Sequence, residues 1–197
     1  MKNIFVIIGK SSTGKDTFFK ELLKCSDELN ISSYIPYTTR PLRKGEQNGV
    51  DYFFVSDMEF ESLIVNNKML EYREYNTIHG IWKYGTVNDE QLKTDKNILI
   101  VLTLEGYNSL ISSRIINKDK IIPIYIDVED GLRLSRALKR ERKQKEPKYQ
   151  ELCRRFLADS EDFNEEKLKY YGITKKFHNY NFKKCLNSIK NYIKSFN

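Results

Sequence analysis

A chain of 197 residues with 40% hydrophobic and 31% charged side chains describes one ordinary globular domain with room for a full core. Its net charge of +7 suits polyanionic ligands, nucleotides as well as nucleic acid. Cys25, Cys153 and Cys185 are odd in number, widely spaced and without a CxxC pair, which excludes a disulfide frame and a cysteine metal site and predicts reduced thiols. No apolar run approaches the ~20 residues of a membrane span. Only a short apolar run precedes a glycine loop, so no signal peptide is expected and the predicted location is cytoplasmic. There is no internal repeat and no low-complexity linker.

Ile4 to Ile8 has the length and β-branched content of a buried strand. Gly9-Lys10-Ser11-Ser12-Thr13-Gly14-Lys15-Asp16-Thr17 follows, then a helix-patterned segment that runs on to Leu29. Strand, glycine loop and helix are the context that a phosphate-binding loop requires. Gly9 and Gly14 let successive N–H groups turn into one concavity, and the helix N-terminus adds partial positive charge. Lys15 supplies a full charge for the outer phosphates. The usual pattern puts Ser or Thr directly after that lysine to hold Mg²⁺; here Asp16 stands there and Thr17 comes one later.

Ile31 to Ile35 reads as a short strand, and residues 36–55 as loop then strand. Within the loop, Arg40 and Arg43 stand among hydroxyls, with Tyr52 after them; alone they read as a solvated basic loop. Ser56 and Glu59 form a capping-box pattern that opens a helix to about Asn67. Met69 to Tyr75 and Ile81 to Tyr84 read as strands around the turn 76–80. His79 reads as a turn residue, Trp82 as packing, and Asn88 to Lys93 as a polar helix.

Asn97 to Leu104 and Ile121 to Asp127 read as buried strands, so strands alternate with helices as in a parallel sheet. Asp127 or Asp130 can cap the next helix. That helix carries Arg133, Arg136 and Arg140 on one face, a solvated surface when read alone. Residues 139–148 are densely charged and read as a mobile, exposed excursion. A long helix then runs from Lys148 toward Tyr171-Gly172. Lys175 to Asn179 is a short strand or loop, and Leu186, Ile189 and Ile193 mark the apolar face of a closing helix.

Thr38-Thr39-Arg40, Arg43, Gly45-Glu46, Asn48-Gly49, Asp51 to Val55, Glu71-Tyr72 and Tyr84-Gly85-Thr86 together resemble the acceptor segment of guanylate kinases. With the phosphate loop, the resemblance covers most of residues 4–90 and extends more loosely to the chain end. It implies an α/β fold of P-loop NTPase type, a parallel sheet wrapped by helices. The core would be 1–35, 90–139 and 155–197, the acceptor-binding subdomain 36–89 and the lid 140–154. It implies ATP with Mg²⁺ bound by Gly9, Ser11, Ser12, Thr13, Gly14, Lys15, Asp16 and Thr17, with Asn179 beside the adenine. Arg40, Arg43, Tyr52 and Tyr84 would clamp the acceptor phosphate. Glu71 would read the base, with Thr38, Thr86 and Thr103 nearby. Arg136, Arg140 and Arg155 would meet the transferring group with Lys15, Arg154 being a rival to Arg155.

Three positions depart from the family pattern. Pro36 stands where a serine contacts guanine, Val101 and Thr103 stand where two aspartates do, and Asp16 replaces the metal-binding hydroxyl. The implied partners are ATP and a nucleoside monophosphate, most simply GMP, with no nucleic acid and no membrane; oligomeric state is left open. A kinase for another small phosphorylated acceptor and a non-catalytic phosphopeptide-binding module are the alternatives. The second typically has a degraded phosphate loop, whereas Gly9, Gly14 and Lys15 are in place here.

Overall fold

A computed structural model describes residues 2–77 and 80–196; His79 lies outside them. The first apolar run is strand β1 (Ile4–Ile8), with all five residues buried. Each such side chain contributes roughly 1.5–3 kcal/mol by leaving water. The glycine loop leads into α1 (Lys15–Leu23), which buries Phe18 and Leu22. The helix does not reach Leu29 unbroken. Cys25 leaves helical backbone angles, and a separate turn, α2 (Ser26–Leu29), ends on left-handed Asn30 before β2 (Ile31–Ser33).

The turn-rich middle yields two short strands, β3 (Tyr37–Thr38) and β4 (Phe53–Phe54). The capping box forms at α3 (Asp57–Val65): Ser56 accepts from the Glu59 N–H while the Glu59 carboxylate accepts from Ser56. Strands β5 (Met69–Thr77) and β6 (Gly80–Val87) are longer than their sequence patterns indicated, because they pair antiparallel from end to end apart from a register shift between Met69 and Glu71. The polar helix expected at 88–93 is only a 3₁₀ turn, Glu90–Leu92, capped by Asp89.

Strand β7 (Asn97–Val101) stops short of Leu104 because Thr103 caps α4 (Leu104–Ile111), accepting from the Gly106 N–H. After β8 (Ile121–Asp127), helix α5 (Asp130–Glu141) is capped by neither predicted aspartate. Asp127 contacts His178 Nδ1 at 2.9 Å, Asp130 is already helical, and Glu129 accepts from both Gly131 and Leu132. The charged stretch after α5 folds back: buried Glu141 accepts from the Lys148 N–H at 2.6 Å. The predicted long helix divides into α6 (Tyr149–Asp162) and α7 (Glu165–Tyr170), because Phe163 turns into the core and Asn164 caps α7. Strand β9 (Lys176–His178) and α8 (Phe182–Lys194) complete the chain.

The main sheet is parallel, in the order β2-β7-β1-β8-β9. Alternate residues of β1 serve its two faces. Ile4, Val6 and Ile8 join a core with Tyr107, Leu110, Phe163 and Leu168, while Phe5 and Ile7 join one with Phe18, Leu22, Ile189 and Ile193. A smaller mixed sheet, β4-β3-β6-β5, stands beside it. The phosphate loop and Leu102-Thr103 follow the carboxyl ends of β1 and β7, and Asp127 is the last residue of the neighbouring strand β8. That is the edge of an open α/β sheet at which ligands bind.

Candidate active site

Backbone geometry fixes the glycine loop. Gly9 has φ 154°, and a Cβ there would lie 2.5 Å from the Ile126 carbonyl oxygen, so no side chain fits. Gly14 and, unusually for a non-glycine, Ser12 also have positive φ. Thr13 Oγ1 donates to the Lys10 carbonyl, and buried Asn179 donates from Nδ2 to the Thr13 carbonyl at 3.0 Å. Asn179, the residue after β9, therefore braces the loop. Lys15 Nζ donates to the Gly9 and Lys10 carbonyls at 2.7 and 3.0 Å. Burial lowers the pKa of this ammonium, while Asp16 and Asp159 oppose that shift. Asp16 and Thr17 are exposed in the first turn of α1.

The arginine face of α5 is graded rather than solvated. Arg133 is 1% exposed; it pairs with Asp130 and Asp159, and its guanidinium lies 4.1 Å from the Phe156 ring centre. Arg136 is half-buried with Nη2 3.5 Å from the Asn179 carbonyl. Arg140 and Arg155 line a small recess with Ser11 and Ser12, so both face the phosphate loop. Arg154 instead turns outward onto Glu151.

On the acceptor side, Arg40 is 3% exposed and held by a bidentate fork on Glu46, both contacts at 2.9 Å. Its guanidinium lies 5.4 Å from the Tyr52 ring centre, and Tyr52 meets Tyr84 edge-on. The expected clamp residues Arg40, Tyr52 and Tyr84 are thus one cluster. Arg43 is exposed, and its backbone N–H also donates to Glu46. Thr38 Oγ1 donates to the Lys83 carbonyl and accepts from the Arg40 N–H.

A cavity of about 340 Å³ is walled by Lys15, Pro36, Tyr52, Tyr84 and Thr103. A wider cleft of about 670 Å³ shares Pro36, Tyr52 and Val101 with it and reaches Asp16. Trp82 and Tyr75 line the smaller cavity, so Trp82 is a wall residue rather than core packing. Glu71 is buried and does not line that cavity. Its Oε1 accepts from Thr86 Oγ1 at 2.7 Å, and Arg73 Nε lies 3.1 Å from its Oε2. Burial pushes the Glu71 carboxyl pKa up, against the pull of Arg73 and Thr86. Arg73 does line the cavity and donates to Thr103 Oγ1 at 2.8 Å.

Sequence reasoning missed Arg73 and Asp159, and gave Glu46, though part of the resembling segment, no role of its own. The first had a visible signal: period-two alternation puts Arg73 on the same face of β5 as Glu71. The pairing of Glu46 with Arg40 and of Asp159 with Arg133 had none, since a charged residue in a loop or on a helix reads as solvated until its partner is known. Among the described residues, no helix is long and apolar enough to cross a membrane, and the three cysteines are unpaired.

The family model described as Guanylate kinase matches residues 1–195. A guanylate kinase of Malacoplasma penetrans (strain HF-2) is 34% identical over 139 residues, 69% of this chain and 67% of that protein. One of Tropheryma whipplei (strain Twist) is 35% identical over 104 residues, 51% of each. One of Coxiella burnetii is 36% identical over 107 residues, 53% of this chain and 49% of that one. The chain thus spans about half the length of several curated relatives that it matches. The crystal structure of guanylate kinase from Anaplasma phagocytophilum superposes with a TM-score of 0.63 at 21% identity, covering 98% of this chain and 85% of that one, and shares the fold.

Proposed function

The chain belongs to the guanylate kinase family, and we infer that it transfers the γ-phosphoryl group of ATP to GMP or dGMP, giving ADP and the nucleoside diphosphate. One observation carries this reading: Lys15 of the phosphate loop shares a single cavity with Tyr52, Tyr84 and Thr103 of the acceptor side. Donor and acceptor would meet there in line, and positioning supplies most of the catalysis in such a transfer.

In this reading the loop N–H groups and Lys15 hold the ATP phosphates, with Asn179 beside the adenine. Lys15 exchanges its contacts with loop carbonyls for phosphate oxygens. Arg136, Arg140 and Arg155 approach from α5 and α6 and stabilise charge that grows as the phosphoryl group moves. Arg40, Arg43, Tyr52 and Tyr84 hold the acceptor phosphate, Glu46 having fixed the Arg40 fork in advance. Thr38, Glu71, Thr86 and Thr103 form the base side. Residues 36–89 and 140–154 act as acceptor-binding subdomain and lid on the core formed by 1–35, 90–139 and 155–197. Their approach excludes water that would otherwise hydrolyse ATP.

The donor set fits a metal brought in with ATP. Mg²⁺ keeps several waters and binds through one or two carboxylates plus substrate phosphates, and Asp16 offers one exposed carboxylate beside Lys15. Among the described residues no group of three or more candidate ligands forms a dedicated cage. Bound there, Mg²⁺ supplies neutralisation of phosphate charge. Three unpaired cysteines suit a reducing cytoplasm.

Calorimetry with ATP-Mg²⁺, followed by ADP release on adding GMP, tests the reading. ATP binding with GMP-dependent ADP release supports it. Absence of ATP binding would overturn it in favour of a binding module.

A further inference from the structure

Resting on the GMP reading above, we propose that Arg73 donates a hydrogen bond to the 6-oxygen of the acceptor guanine and so sets the choice of base. Guanine presents the 6-oxygen, an acceptor, directly beside its N1–H donor. A site that reads this edge needs a donor next to an acceptor. Pro36, at the cavity wall, has no side-chain donor.

Of the four hydroxyls around the base side, three already spend their proton. Each carries a single proton. Tyr37 spends its proton on Asp89 at 2.9 Å, Thr38 on the Lys83 carbonyl at 2.8 Å, and Thr86 on Glu71 at 2.7 Å. Thr103 accepts from Arg73 and from the Gly106 N–H, which leaves it one neutral proton.

Arg73 is different. It is 8% exposed and lines the cavity. Its five N–H donors have two hydrogen-bond acceptors, Thr103 Oγ1 at 2.8 Å and Glu71 Oε1 at 3.4 Å. Arg73 Nε and Glu71 Oε2 lie 3.1 Å apart as a buried ion pair, which leaves N–H groups on Nη1 and Nη2 to spare. A spare guanidinium N–H at the cavity wall, with the Glu71 carboxylate beside it, complements the guanine edge. Adenine reverses that order, with an amino donor at position 6 beside an acceptor N1, and mismatches both.

The surroundings leave room for this guanidinium. A Cβ on Gly106 would stand 2.7 Å from Arg73 Nη1 and would displace it from its present position against α4. Glu71 supplies the counter-charge that lets an arginine lie in the wall. A donor that carries charge makes a stronger hydrogen bond than the Thr103 hydroxyl can.

The test compares GMP with 6-thioguanosine monophosphate, which keeps N1–H and the 2-amino group but offers a sulfur that accepts hydrogen bonds weakly. The wild type should favour GMP by about tenfold to a hundredfold in kcat/KM, mainly through KM, as for a hydrogen bond to a charged donor. In Arg73→Met the ratio should fall toward one, and Arg73→Lys, which keeps the charge beside Glu71, should be intermediate. A thermal melt checks that each variant folds. If Arg73→Met does not fold, the wild-type ratio and Arg73→Lys decide: a wild-type ratio near one, or an unchanged ratio in Arg73→Lys, overturns the proposal. An unchanged ratio in a folded Arg73→Met also overturns it. So does collapse of the ratio in Thr103→Val while Arg73→Met keeps it, which would make Thr103 the donor. Wild-type protein that turns over no guanine monophosphate overturns the underlying reading as well; one that turns over GMP while failing the ratio test overturns the Arg73 assignment alone.

Discussion

The backbone N–H of Ser11 donates to the Asp159 carboxylate at 2.8 Å, and the same oxygen takes Arg133 Nη1 at 2.8 Å. Residues 148 apart in sequence thereby join α6 to the phosphate loop. A carboxylate beside an anion-binding loop opposes incoming phosphate. Asp159→Asn keeps an acceptor for Ser11 and removes the charge. The expected result is an ATP KM about two- to tenfold lower, the scale of a partly screened charge pair. A higher ATP KM would mean that the charge serves to shape the loop for its ligand.

Lys15→Ala should lower turnover by about a hundredfold or more, the scale of removing one preorganised contact to a charge-developing group. Its circular dichroism spectrum should match the wild type, since among the described residues Lys15 Nζ hydrogen-bonds to the loop carbonyls of Gly9 and Lys10 and to no side chain. Near-normal turnover would remove Lys15 from the phosphate site.

Asp16 is exposed at the start of α1. Its carboxylate would repel ATP phosphates unless Mg²⁺ lies between them, directly or through water. Asp16→Ala should therefore raise the Mg²⁺ concentration needed for half-maximal rate. An unchanged magnesium titration would leave Asp16 as a favourable charge at a helix N-terminus and nothing more.

The Arg40–Glu46 fork gives a pH signature. Hydrogen bonding to Arg40 holds the Glu46 carboxyl below its ordinary pKa of 4.5. A depressed carboxyl pKa contributes stability above its unfolded value, and that contribution is lost as pH falls through the folded one. Glu46→Gln should cost about 1.5–3 kcal/mol at neutral pH, the scale of hydrogen bonds to a charged group. The gap between wild-type and variant melting temperatures should be constant above pH 5 or so and close as the solution is acidified below that ordinary value. A gap independent of pH into the acid range would show that the fork is not ionic.

Much of the fold was legible because its signals are local. The β1 run, the glycine pair at 9 and 14, the Ser56–Glu59 box and the spacing of Ile189 and Ile193 each act within a few residues. Helix ends were less legible. Glu129 rather than Asp127 caps α5 because Asp127 is drawn to His178, a residue brought close by β8–β9 pairing. Buried charges were the least legible. Arg133 shares a helix face with Arg136 and Arg140, and only the packing of α6 against α5 buries it against Asp159 and Phe156. Arg73 likewise has meaning only once β5 lies against α4.

The central claim is that the cavity between Lys15 and Arg73 accepts a guanine monophosphate for phosphorylation. A coupled assay of ADP release with ATP-Mg²⁺ and equal concentrations of GMP, dGMP, IMP, AMP, UMP and CMP tests it most directly. GMP or dGMP should be fastest. IMP keeps the 6-oxygen and N1–H but lacks the 2-amino group, so it should fall between GMP and AMP. The margin over AMP should be about tenfold to a hundredfold, the scale of one buried unmatched polar group. If AMP or a pyrimidine monophosphate outruns GMP, the base assignment is contradicted; if no monophosphate releases ADP, phosphoryl transfer itself is.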